Sequence, residues 1–217
     1  MEIQALIIFV MEMVGTVAFA ASGAMMGISR RMDVFGVCVL GVITAVGGGM
    51  MRDVILGNVP GALTEPVYVA AAVATALLIF AVLYFKRDMM QGRFGLLYDR
   101  MMLVMDSVGL GIFTVVGVIT GIENGYLANT FLLTFLGTLT GVGGGLLRDM
   151  MAGVPPYIFV KHIYACASVA GALTCVGIYR EFGQIPAVVI SSLLVVAVRF
   201  LAAHYRWNLP HVEREEK

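Results

Sequence analysis

The chain has 217 residues, 60% hydrophobic and 13% charged, with a mean hydropathy of +0.94, whereas soluble domains are about 45–50% apolar and about 25% charged. Too little polar surface remains for a soluble fold of this length. The 14 basic and 14 acidic residues balance, which leaves no cationic footprint for nucleic acid.

Crossing a bilayer core of roughly 30 Å takes about 20 apolar residues. Seven such runs occur, at about 5–28, 34–56, 66–85, 101–121, 128–152, 157–178 and 185–203. The first contains Ala18-Phe19-Ala20, which mimics a signal-cleavage site, but its start lacks a basic region and Glu12 interrupts its apolar core. It therefore reads as a span that is retained.

The second run holds the most distinctive segment, Gly41-Val-Ile-Thr-Ala-Val-Gly-Gly-Gly-Met-Met-Arg-Asp-Val-Ile-Leu-Gly57. It recurs in the fifth run as Gly137-Thr-Leu-Thr-Gly-Val-Gly-Gly-Gly-Leu-Leu-Arg-Asp-Met-Met-Ala-Gly153, at a spacing of 96 with nine of seventeen positions identical. The first run recurs in the fourth at a spacing of 94: Val10, Met11, Val14, Gly15, Phe19 and Gly23 match Val104, Met105, Val108, Gly109, Phe113 and Gly117, and Glu12 meets Asp106. Downstream, Pro60 meets Pro156, Tyr68 meets Tyr164 and Leu77 meets Leu173. The repeating unit is thus three spans long.

An odd number of crossings per unit inverts the second copy and predicts a pseudo-twofold axis in the membrane plane. The expected fold is an all-α integral membrane protein of seven transmembrane helices: a first three-helix repeat (1–85), a cytoplasmic loop (86–100), a second, inverted repeat (101–178), a seventh helix (185–203) and a cytoplasmic tail (204–217). Arg30, Arg31, Lys86, Arg87, Arg93, Arg100, Lys161, Arg206, Arg214 and Lys217 then fall on one side, against chiefly Glu65, Glu123 and the Arg180-Glu181 pair on the other. This bias places the N-terminus outside and the C-terminus in the cytoplasm.

Three consecutive glycines at matching sites lower the cost of unwinding a helix. Gly47, Gly48, Gly49, Gly143, Gly144 and Gly145 are therefore expected to break the second and fifth helices and turn carbonyl oxygens toward an ion path. Thr44 and Thr140, one turn earlier, either add hydroxyl ligands or bond back to their own helices. Arginine in a bilayer core is unfavourable by about 2.5 kcal/mol or more unless paired or wetted, so Glu12 is expected to hold Arg52, and Asp106 to hold Arg148. Such pairs can serve packing as well as function. Asp53 and Asp149 either cap the half-helix that resumes after each break or draw cations to the pore mouth.

Other chemistry finds no support in the chain. The cysteines Cys38, Cys166 and Cys175 lie in apolar segments without metal-ligand spacing and read as core residues. Leu146 stands where a dinucleotide fingerprint after Gly141 needs its last glycine, and His162, His204 and His211 are scattered. No enzyme, metal or cofactor is expected beyond bound lipid.

Gly-Gly-Gly-x-x-Arg-Asp at Gly47 to Asp53 and at Gly143 to Asp149, preceded by Phe19-Ala-Ala-Ser-Gly23 and Asp106-Ser-Val-Gly-Leu-Gly111, resembles the prokaryotic members of the trimeric intracellular cation channel (TRIC) family, some relatives of which are called glycine transporters. The resemblance runs from about residue 5 to 203. It implies a homotrimer in a prokaryotic plasma (inner) membrane, each subunit enclosing its own passive path for potassium or sodium. The Lys-Glu-Val motif of the eukaryotic branch is replaced here by Arg-Asp, so that branch's regulation does not transfer. The alternative function is a secondary transporter for a small zwitterion such as glycine, which inverted repeats also accommodate.

Overall fold

Backbone groups in a lipid interior must be satisfied within their own segment, so apolar runs of this length become helices. The computed structural model describes residues 2–86, 94–160 and 163–207. The helices, in chain order, are α1 (Glu2–Ser29), α2 (Val34–Leu56), α3 (Gly61–Thr64), α4 (Pro66–Phe85), α5 (Phe94–Gly121), α6 (Thr130–Met151), α7 (Tyr157–Val160), α8 (Tyr164–Phe182) and α9 (Gln184–His204), with a π turn at Ile122–Tyr126 between α5 and α6. Among the described residues, six helices are long and apolar enough to cross a membrane: α1, α2, α4, α5, α6 and α9. The other long helix, α8, ends on the charged pair Arg180-Glu181.

Several expected boundaries shift. Residues 94–100, expected in a loop, form the first turns of α5. The span expected at 157–178 is divided: α7 ends at Val160, and α8 begins after Ile163, whose φ of 31° lies outside the right-handed helical region. The short α3 and α7 occupy equivalent places 96 residues apart, each between an Arg-Asp pair and the next long helix. Arg87, Arg93, Lys161, His162, His211, Arg214 and Lys217, and most of the expected loop and tail, lie outside the described residues.

Each half packs in the same pattern: α1 with α2 and α4, and α5 with α6 and α8, while α9 lies against α5 and α8. The halves meet where α2 crosses α6 and α1 packs on α5. Small residues permit both contacts. Gly15 faces Ile112 and Phe113, and Gly109 faces Phe19. Thr44 lies opposite Gly144 and Gly48 opposite Thr140. Contact positions descend on one helix as they ascend on the other, so α2 and α6 run past each other in opposite chain directions.

The glycine triplets correct an expectation. Both lie inside continuous helices, and none of the six glycines has a positive φ. They bring two backbones together: a Cβ on Gly48 would overlap the Thr140 carbonyl oxygen, and one on Gly144 would overlap the Thr44 carbonyl oxygen. Close approach through small residues is how membrane helices associate where lipid removes the hydrophobic drive. The neighbouring Gly49 meets only the end of Arg52, at 3.8 Å.

This difference sets a test. Gly48→Ala and Gly144→Ala should each lower stability in detergent by about 1–3 kcal/mol, the usual cost of overpacking. Gly49→Ala should be neutral, or gain up to about 1 kcal/mol from helix propensity. Thermal melts of the three variants against the parent distinguish packing glycines from unwinding ones, because unwound triplets would give no such ranking.

Candidate functional site

One face of α1 carries Glu12, Thr16, Phe19 and Ser22, at steps of four, three and three residues. At 1.5 Å per residue this stripe extends about 15 Å along the helix, and it leads from one Arg-Asp pair to the other.

At its first end, Arg52 Nε and Nη2 both donate to Asp53 Oδ1, at 2.8 and 2.7 Å. The other Asp53 oxygen accepts from the backbone N–H of Gly61 at 2.9 Å and so caps α3. Glu12 accepts from the Tyr68 hydroxyl at 2.6 Å. The expected Glu12–Arg52 ion pair is not formed, because Tyr68 of α4 holds Glu12 and Arg52 turns to its own neighbour on α2, Asp53. Between them lies a cavity of about 70 Å³, lined by Glu12, Thr16, Arg52, Asp53, Tyr68 and Phe113 among others.

At the other end the expected Asp106–Arg148 pair is formed and sealed. Arg148 Nη1 donates to Asp106 Oδ1 at 2.6 Å and to Ser22 Oγ at 2.5 Å, while Nε donates to Asp149 Oδ1 at 2.8 Å. All three charged side chains have no exposure. Asp149 Oδ2 accepts from the Tyr157 N–H at 2.8 Å, so it caps α7 as Asp53 caps α3. The Tyr157 ring lies 5.1 Å from the guanidinium carbon. Among the described residues, Asp106 Oδ2, Arg148 Nη2 and the Tyr164 hydroxyl are buried and find no hydrogen-bond partner.

The Phe19 and Phe113 rings, 5.3 Å apart, stand between the two ends. The Thr44 and Thr140 hydroxyls each donate to a carbonyl of their own helix, Leu40 and Leu136, at 2.6 Å. That is the back-bonding alternative. The structure thus brings Arg52 and Asp53 to a cavity, encloses Arg148 and Asp149 beside Asp106, and places Gly47–Gly49 and Gly143–Gly145 in the helix crossing. Thr16, Ser22, Tyr68, Tyr157 and Tyr164 join the site without having been singled out. Polar side chains at positions 12, 16 and 22, on one face of an otherwise apolar helix, were the signal for Thr16 and Ser22.

The comparisons follow the same division. A family model described as glycine transporter matches the chain twice, at residues 9–84 and 103–180. The UPF0126 membrane protein of Deinococcus radiodurans is 34% identical over 203 residues, 92% of this chain and 89% of the relative. The UPF0126 inner membrane protein YadS of Escherichia coli K12 is 34% identical over 206 residues, 94% of each. A structure reported for conductance through TRIC cation channels aligns with a TM-score of 0.81 and 30% identity over 96% of this chain and 98% of that one. A crystal structure of a prokaryotic TRIC channel in 0.5 M KCl gives 0.84 and 26% over 94% and 100%.

The chain belongs to the prokaryotic TRIC family. A further TRIC orthologue, from Rhodobacter sphaeroides, aligns with a TM-score of 0.81 and 28% identity over 92% and 98%. In this TRIC protein the two family matches coincide with the two Arg-Asp units, one open to a cavity and one closed.

That contrast is measurable. Removing one partner of a buried ion pair typically costs 3–5 kcal/mol because a charge is stranded, so Asp106→Ala should lower stability by about that much. Asp106→Ala combined with Arg148→Met should recover much of it. Glu12→Ala, which loses one hydrogen bond from a neutral hydroxyl at a cavity, should cost only about 1 kcal/mol. Equal losses from the two acid deletions in thermal melts would contradict the assignment.

Proposed function

We propose that the protein is a passive channel for monovalent cations, potassium foremost and sodium second, with one pore in each protomer of a homotrimer. The observation that carries this reading is the likeness, over more than nine-tenths of the chain, to solved TRIC cation channels. In it, the chain crosses a prokaryotic inner membrane seven times, N-terminus outside, as two inverted three-helix repeats plus α9, with α8 completing the second repeat.

The pore follows the Glu12–Thr16–Phe19–Ser22 stripe between α1, α2, α5 and α6. Hydroxyls and carboxylates on a narrow helical face replace part of a cation's hydration shell at modest strength, which permits exit as well as entry. Arg148 closes the end opposite the cavity, because it fills the space between α1, α5 and α6 and repels a cation. Conduction requires Arg148 to swing off Asp106 and Ser22 with Asp149 still holding its Nε. No step of this calls for an enzyme's chemistry.

The description of the matching family model as a glycine transporter favours one second reading, a saturable carrier for a small zwitterion. Liposomes separate the two. A channel gives potassium flux that is linear in driving force and needs no counter-substrate; a carrier gives saturable glycine exchange without electrical current. Glycine exchange in the absence of potassium flux would overturn the proposal.

A further inference from the structure

The two Arg-Asp units differ in charge balance. In the second, Asp106 and Asp149 face Arg148, and α9 adds a second guanidinium: Arg199, 3% exposed, stands 4.7 Å over the ring of Tyr164. Counting Arg199 behind the Tyr164 ring, the unit holds two guanidinium groups for two carboxylates. In the first, among the described residues, Glu12 and Asp53 face Arg52 alone, Tyr68 stands where Tyr164 does in the repeat, and no helix equivalent to α9 packs on it. Glu65 and Glu123 lie within electrostatic range of Glu12 and add negative charge. One positive charge is missing there.

We propose that a single monovalent alkali cation, partly hydrated, supplies that charge by binding in the cavity to Glu12 and Thr16. Arg52 is committed to Asp53 through two nitrogens, and the Tyr68 hydroxyl donates to only one Glu12 oxygen, so the carboxylate keeps free lone pairs toward the cavity. Thr16 lies one turn along the same face of α1, is 2% exposed and lines the cavity, and among the described residues its hydroxyl makes no hydrogen bond. A volume of about 70 Å³ holds about two waters at roughly 30 Å³ each, so the ion keeps part of its shell. That favours a weak site at the entrance over a dehydrating filter. As the first station of the pore the site rests on the channel reading; as a binding site it can be tested without conduction.

The test uses the full chain in its native oligomer, with Glu12→Gln, which keeps an acceptor for Tyr68, and Thr16→Val, which keeps the volume. Thermal melts are run in potassium chloride and in N-methylglucamine chloride at equal ionic strength, and single-channel conductance is titrated with potassium. Potassium should raise the melting temperature of the parent specifically; Glu12→Gln should abolish that increment and Thr16→Val should reduce it. The half-saturating potassium concentration should rise about fivefold in Glu12→Gln, the Boltzmann factor for one unit charge at about 4 Å in a water-like dielectric. Unchanged potassium dependence in either variant overturns the site, and Thr16→Val alone decides if Glu12→Gln fails to assemble. Flux in the parent without potassium-specific stabilisation overturns the site and leaves the channel reading intact. Glu12-dependent stabilisation without flux supports the site and contradicts the channel reading.

Discussion

The structure depends on the contact between the α2 and α6 backbones at Gly48 and Gly144, each of which packs against a carbonyl of the other helix. In a bilayer the apolar surfaces of helices gain little by leaving lipid, so association rests on van der Waals contact and on how near two backbones can come. That approach brings α1 over α5, with Phe19 against the space left by Gly109. It also carries Ser22 of one half to Arg148 of the other, at 2.5 Å. A side chain at the crossing would separate the halves and pull that hydrogen bond apart.

Two equivalent units on this frame have diverged through a few residues. The acid of the first is a glutamate bonded to Tyr68, and that of the second an aspartate bonded to Arg148. Ser22 has no hydroxyl counterpart, since Val116 occupies its place in the second copy. The additional helix α9 packs chiefly on α5 and α8. The result is a negatively biased cavity at one end and an enclosed ion cluster at the other. Stranding one partner of a buried ion pair is costly, so in the proposed channel the second unit serves as the closure and the first as the entrance.

Much of this was legible in the sequence. The doubled motif, the 96-residue spacing, the extent of α2, α4 and α9, and the Asp106–Arg148 pair follow from composition, length and the high cost of an unpaired arginine in lipid. The glycine triplets misled because glycine allows both unwinding and close packing, and which one occurs depends on the partner surface, here α6 against α2. The Glu12–Arg52 pair failed because side-chain reach is a tertiary matter: Tyr68, 56 residues away in sequence, reaches Glu12 first. Ile163 divides the expected sixth span through its local backbone conformation, which an apolar run does not reveal.

Hydrogen exchange at the backbone amides of residues 47–51 and 143–147, in the reconstituted oligomer, tests the helix crossing most directly. Continuous, tightly packed helices should protect these amides as strongly as the flanking turns, with exchange limited by large-scale opening. Rapid exchange at the triplets, with protection on either side, would contradict the crossing and mean that the glycines open α2 and α6.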